Sequence, residues 1–339
     1  ISGTRITVDD AGFFLGNVTT DGPILFAISQ SRRAAFHPRF SLENTSVVID
    51  EVYNAFFAVT DIQPPSPSGI SKPIVYYHAD SGNVVVGQLA SDGKYEDVAY
   101  PSPVNIGYTH VVGVGNRQVL FYNAGSGAGQ VLQIAADGNL IPQTAYTTFA
   151  TGWTHIVEGG GQVLFYRSGD GLVALVEVGA DGTVNTLTNY YITPGWTALA
   201  GNGGWYILYN RADGSYETMQ FFPDGNFTTT GISSSGQFIA GWTHIIGYNA
   251  KLLFYNADNG VMALGTFSDG YYNQIIGYSP GTFPAGWSHI VAADDRLLYY
   301  NAAVRNAETG IFNADGSYAA LEIISALSGW THITATPSF

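Results

Sequence analysis

The sequence contains no cysteine, two methionines and only 11% charged residues among 339. Without cysteine there is neither a disulfide framework nor a thiolate metal site. No run of about 18 apolar residues occurs, so membrane insertion through an apolar helix is not expected. Positive charge is also short: 12 Lys and Arg stand against 26 Asp and Glu, a formal net charge of −14. Nucleic-acid binding rests on Lys and Arg neutralising phosphates, so DNA, RNA and anionic membranes are not expected partners. An average domain carries about 25% charged residues. Here Gly, Asn, Ser, Thr and Tyr must cover the surface, which suits neutral, hydroxylated ligands.

What the chain has in abundance is repetition. Gly152-Trp153-Thr154-His155 recurs as Gly107-Tyr108-Thr109-His110, Gly195-Trp196-Thr197-Ala198, Gly241-Trp242-Thr243-His244, Gly286-Trp287-Ser288-His289 and Gly329-Trp330-Thr331-His332. The intervals are 45, 43, 46, 45 and 43 residues, the range of a repeat architecture. Each full repeat continues with an apolar run ending in Phe-Tyr or Tyr-Tyr, such as Leu253-Phe254-Tyr255, with Ile207-Leu208-Tyr209 as the looser copy, then a polar turn such as Asn256-Ala257-Asp258-Asn259-Gly260. An Asp-Gly turn follows. Short β-rich runs separated by Gly and Asx turns read as hairpins. Four such strands per repeat make a propeller blade.

The Asp-Gly turns serve as a ruler. Their glycines, Gly22, Gly93, Gly138, Gly182, Gly225, Gly270 and Gly316, count seven blades in a single all-β propeller domain spanning 1–339. Val52 to Val59 is expected to supply the first strand of the blade closing at Gly93. Between that strand and Ile74, the Pro- and Ser-rich stretch Pro64-Pro65-Ser66-Pro67-Ser68-Gly69 reads as an insertion loop, within the unrepeated residues 31–72. Residues 4–25 lack a first strand and Gly329 to Thr334 lacks the other three. The join from Gly329 through Phe339 and on from Ile1 to Gly22 spans 32 residues, against 29 to 31 in intact repeats. The C-terminal strand is therefore expected to close the ring on the N-terminal blade, removing an open sheet edge.

Side chains alternate faces along a strand, and both faces of a blade pack on neighbours. The repeated Trp reads first as inter-blade core, and the His as a buried polar group bonded to an adjacent blade. The functional reading places a carbohydrate in a shallow cleft beside them, because sugars need an aromatic platform with a few fixed donors and acceptors. The candidates are Tyr108, His110, Trp153, His155, Trp242, His244, Trp287, His289, Trp330 and His332, with the turn residues Asn123, Asn210, Asn256 and Asn301. Each Asn could instead close an Asx turn on its own backbone. Histidines about 45 residues apart do not give the spacing of a zinc site. No Asp-x-Asp-x-Asp calcium loop appears, and no nucleophile elbow is found.

Gly-Trp-Thr-His-Ile-Val, a short turn, Leu-Leu-Phe-Tyr-Asn and a later Gly resemble the repeats of FG-GAP-like propellers, a superfamily with integrin-type domains and the seven-bladed Psathyrella velutina lectin type. The architecture is also similar to tachylectin-2 and tectonin lectins. The resemblance implies sugar sites between or within blades. FG-GAP repeats commonly hold calcium in an Asp-rich loop. Here that loop is reduced to turns such as Gly113-Val114-Gly115-Asn116 and Gly247-Tyr248-Asn249-Ala250, so no cofactor is expected and calcium is not supported.

The leading expectation is a multivalent carbohydrate-binding protein, a lectin whose partners are glycans or glycoproteins. The first residue is Ile1, and the sequons at Asn17, Asn44 and Asn226 fit a processed, secreted glycoprotein. The alternative is a glycoside hydrolase or polysaccharide lyase with one active site in the axial funnel. Its unique residues would come from the unrepeated segment holding Arg32, Arg33, His37, Arg39, Glu43, Asp50, Glu51 and Asp61. A protein-interaction scaffold would instead show an apolar rim patch.

Overall fold

A computed structural model of the protein describes residues 72–337 apart from 91, 147–148, 222–226, 230–236, 294 and 326, together with one short strand pair nearer the N-terminus. The chain divides into two compact units, Ile1–Ser68 and Gly69–Phe339. In the first, Phe26–Ala27 pairs antiparallel with Phe56–Phe57.

The second unit is a propeller of six four-stranded antiparallel blades. Blade 1 consists of Ile74–Tyr77, Val84–Leu89 and Tyr95–Ala99, with His332–Ala335 as its innermost strand. Blades 2 to 6 begin at His110–Val114, His155–Gly159, Ala198–Asn202, His244–Tyr248 and His289–Ala293, and each runs outward in sequence order.

The expected seven blades are thus corrected to six. Ring closure by the C-terminal strand occurs, but on a different blade. His332 pairs with Tyr77 and Ala335 with Ile74, so this strand takes the place expected for Val52 to Val59. Phe56–Phe57, within that segment, pairs with Phe26–Ala27 instead. An Asp-Gly ruler counts turns and cannot tell a blade from an isolated hairpin. The blade expected to close at Gly22 and the sequons at Asn17, Asn44 and Asn226 lie outside the described residues.

Six apolar cores fill the joins between consecutive blades. Strand alternation splits each second strand between two of them: Val119 and Phe121 face blade 1, while Leu120 and Tyr122 face blade 3. This is why second strands carry consecutive apolar residues, as in Val119-Leu120-Phe121-Tyr122. The repeat's aromatic caps a join in every case. Tyr108, Trp153, Trp196, Trp242, Trp287 and Trp330 each lie in the core between the blade being left and the blade being entered. Burying such rings stabilises each join by roughly 2–3 kcal/mol by area.

The Gly five residues beyond the Tyr has a specific cause. Gly127, Gly171, Gly214 and Gly260 have φ between 71° and 79°. A Cβ on any of them would meet a carbonyl oxygen of the outgoing linker at 2.0–2.2 Å. At blade 6 Arg305 takes this place with φ 57°.

Candidate functional site

The innermost strand starts at the His, so the preceding Gly-Trp-Thr belongs to the linker. Each linker is stapled by the Tyr that ends a second strand. Tyr255 Oη donates to Pro284 O at 2.9 Å and accepts the Trp287 N–H at 3.2 Å. Tyr77, Tyr166, Tyr209 and Tyr300 repeat the pattern on Tyr108, Trp196, Trp242 and Trp330. The Tyr was visible in the sequence as a landmark, but its staple was not, since its partners lie about 30 residues away.

The histidines form a relay around one end of the ring. His110 Nε2 lies 3.1 Å from Thr154 O, His244 Nε2 3.1 Å from Ser288 O, His289 Nε2 3.0 Å from Thr331 O, and His332 Nε2 3.0 Å from Thr109 O. His155 bonds the Thr197 carbonyl in the same way. A carbonyl only accepts, so Nε2 carries the proton and donates. The hydroxyl of the preceding Thr or Ser lies 2.8–3.0 Å from Nδ1 and 3.0–3.2 Å from the carbonyl of the second-strand Tyr, and shares its one proton between these acceptors. Burial lowers the pKa of all five imidazoles below the usual value, favouring the neutral form this tautomer requires. The relay runs from Thr243 through blades 5, 6, 1, 2 and 3 to Thr197. It opens at Ala198, where blade 4 has no imidazole to offer blade 5. Between those two blades Arg211 and Asp258 form an ion pair at 2.5 Å.

The turn asparagines are similarly occupied. Asn123 Oδ1 accepts the N–H groups of Gly125 and Ser126, Asn256 Oδ1 that of Asp258, Asn210 Oδ1 that of Ala212, and Asn301 Oδ1 those of Ala303 and Val304. Asn123 Nδ2 also donates to Gly107 O at 2.6 Å. The structure therefore places the aromatic ring of each repeat in the core, and bonds the Nε2 of each repeated His and the Oδ1 of each turn Asn to backbone.

Two features break the repetition. The first is on the outer strands, where Tyr100, Tyr191 and Tyr271 are 72%, 69% and 55% exposed. Tyr100 Oη donates to Asp97 Oδ2 at 2.6 Å. Tyr191 lies within electrostatic reach of Arg167, whose guanidinium grips Asp170 at 2.9 and 2.5 Å and stands 5.8 Å from the Trp153 ring centroid. Arg167 occupies the position that Asn holds in blades 2, 4, 5 and 6. Sequence reading missed these tyrosines. Their signal was a Tyr on the solvent side of an otherwise polar outer strand, as in Tyr95-Glu96-Asp97-Val98-Ala99-Tyr100.

The second is the axial channel, a cavity of about 550 Å³ lined by the six innermost strands. At one level these strands place Gly113, Glu158, Gly201, Gly247, Ala292 and Ala335. Glycine is required where neighbours come closest: a Cβ on Gly201 would meet Glu158 O at 2.0 Å, and one on Gly247 would meet Gly201 O at 2.2 Å. Glu158 alone carries a charge in this ring. Its Oε1 accepts the Gly161 N–H at 2.8 Å, and burial pushes its pKa up to about 7. Among the described residues no group of three or more His, Cys, Asp or Glu could hold a metal ion. Also among them, no helix is long and apolar enough to cross a membrane.

Neither known protein-family profiles nor curated proteins match the sequence. Solved structures do match in fold. The periplasmic gluconolactonase of Pseudomonas aeruginosa aligns with a TM-score of 0.53 at 11% identity, covering 78% of this chain and 99% of that one. A candidate 6-phosphogluconolactonase from Bacteroides fragilis gives 0.53 at 11% identity over 76% and 83%. A Lactobacillus plantarum protein gives 0.51 at 13% identity over 78% and 99%. The chain is a β-propeller of four-stranded antiparallel blades.

Proposed function

We propose that the protein is a secreted, multivalent carbohydrate-binding propeller. The observation that carries this reading is the set of tyrosine rings exposed on or just beyond the outer strands of three blades, where most other large aromatic rings among the described residues are packed into joins. A sugar offers C–H faces to such rings and hydroxyls to neighbouring polar groups. Asp97 beside Tyr100 and the Arg167–Asp170 pair beside Tyr191 supply those groups. The low charge content and the sequons support export, and one fold neighbour is periplasmic. The repeated Trp–His clefts are weaker candidates, because their polar atoms already have backbone partners. Titration against simple sugars and a glycan array is expected to give more than one site per chain. Silence across neutral and sialylated glycans would sink the reading.

A single-site enzyme acting on sugars is the second reading, favoured by the axial cavity and by the fold likeness to gluconolactonases. A glycoside hydrolase needs two carboxyl groups about 5–10 Å apart. Among the described residues of the cavity lining Glu158 is the one carboxylate, so the second would have to come from elsewhere in the chain. Release of reducing sugar or opening of gluconolactone by the purified chain would restore the enzyme reading.

A further inference from the structure

The axial channel holds the sharpest departure from sixfold repetition outside the rims. Five of six innermost strands place Gly or Ala where blade 3 places Glu158. A glutamate contributes nothing to the close approach that glycine serves at this level, and burial opposes its ionisation. One carboxylate oxygen is satisfied by Gly161, and no further hydrogen bond to Glu158 is found among the described residues. The volume of about 550 Å³ lies within the roughly 300–1,000 Å³ of small-molecule sites.

We propose that this channel is a second, single binding site for a monosaccharide bearing an amino group, with Glu158 receiving the ammonium. The proposal rests on the carbohydrate reading above and adds a site of different chemistry. An ammonium placed at Glu158 restores by direct pairing the charge that burial disfavours. The chain's net charge of −14 draws cations towards it. Among the described residues of the lining, Lys72 is the only other charged one. Among the described residues the other titratable group facing Glu158 is Tyr206 of blade 4, whose hydroxyl lies 2.7 Å from Gln162 O and 3.0 Å from Gly159 O, shares its one proton between these acceptors and stays protonated.

The test is calorimetric titration of the full chain at pH 7 with D-glucosamine and with D-glucose. One glucosamine site per chain is expected, weakened at least tenfold by Glu158→Gln, with glucose binding at least tenfold weaker and indifferent to that substitution. In the unsubstituted protein, carbon-detected NMR should show the Glu158 carboxyl titrating at lower pH when glucosamine is present. This second measurement decides the matter even if the variant fails to fold. Equal glucosamine affinity in both proteins, no glucosamine binding, or an unmoved Glu158 midpoint would overturn the proposal. Loss of glucosamine binding in Tyr191→Ser would overturn the axial placement. Failure of glycan binding at the rims, with glucosamine binding intact, would count against the rim reading alone.

Discussion

Five joins of the ring are crossed by a His-to-carbonyl bond, and the join between blades 4 and 5 is not. Where Ala198 removes the imidazole, Arg211 reaches Asp258 across the same two blades. Wherever the repeated His is present it is bonded to the next blade. Where one is missing, a different pair spans the gap. The repeated Trp, Thr, His and Tyr are therefore chiefly the ring's connections. The groups proposed to meet ligands are instead residues that occur once, such as Glu158, Arg167 and the exposed tyrosines.

The largest disruption of this comparison is to break every connection at one join. Removing residues 331–337 deletes blade 1's innermost strand, leaving Ile74–Tyr77 as an open edge. Loss of the cooperative melting transition and aggregation are expected by circular dichroism and light scattering.

Tyr255→Phe is a smaller break, which strands the Pro284 carbonyl and the Trp287 N–H. A loss of about 1–3 kcal/mol is expected in denaturant titration. An equal loss on mutating an exposed tyrosine would erase the distinction between staple and platform.

The relay should also respond to acid. The folded imidazoles have pKa values below the unfolded 6.5, so the unfolded chain takes up protons first as pH falls. Stability is expected to be full at pH 7.5, to fall as pH drops below 6.5, and to level once the folded values are passed. Denaturant midpoints unchanged between pH 7.5 and 5 would contradict the relay.

The smallest effect is the most specific. Ala198→His restores the sixth imidazole opposite the Thr243 carbonyl and is expected to gain about 0.5–1.5 kcal/mol. The same substitution in an Arg211→Ala background should gain at least as much.

The blade repeat, the antiparallel hairpins and the inter-blade place of the Trp were legible in the sequence, as was a closing role for the C-terminal strand, though not the blade it completes. All are local in period or follow from a missing strand. The blade number was not, because Gly22 marks a turn whether or not a blade surrounds it, and the strand that completes blade 1 lies some 250 residues away from its partner. The candidate site was legible only as chemistry. His244 and Asn256 are the polar types a sugar cleft requires, yet a period of 45 residues cannot show that Ser288 O and the Asp258 N–H already occupy them. Glu158 stood in plain view as the one acid in a column of Gly and Ala, and only the channel gave that column a meaning.

The central claim is that unrepeated surface tyrosines bind glycans while repeated residues hold the ring. It is tested most directly by glycan-array binding of the protein carrying Tyr100→Ser, Tyr191→Ser and Tyr271→Ser together, with its melting temperature measured alongside. The account expects binding to fall at least tenfold with the melting temperature nearly unchanged. Undiminished binding in the triple variant would contradict it.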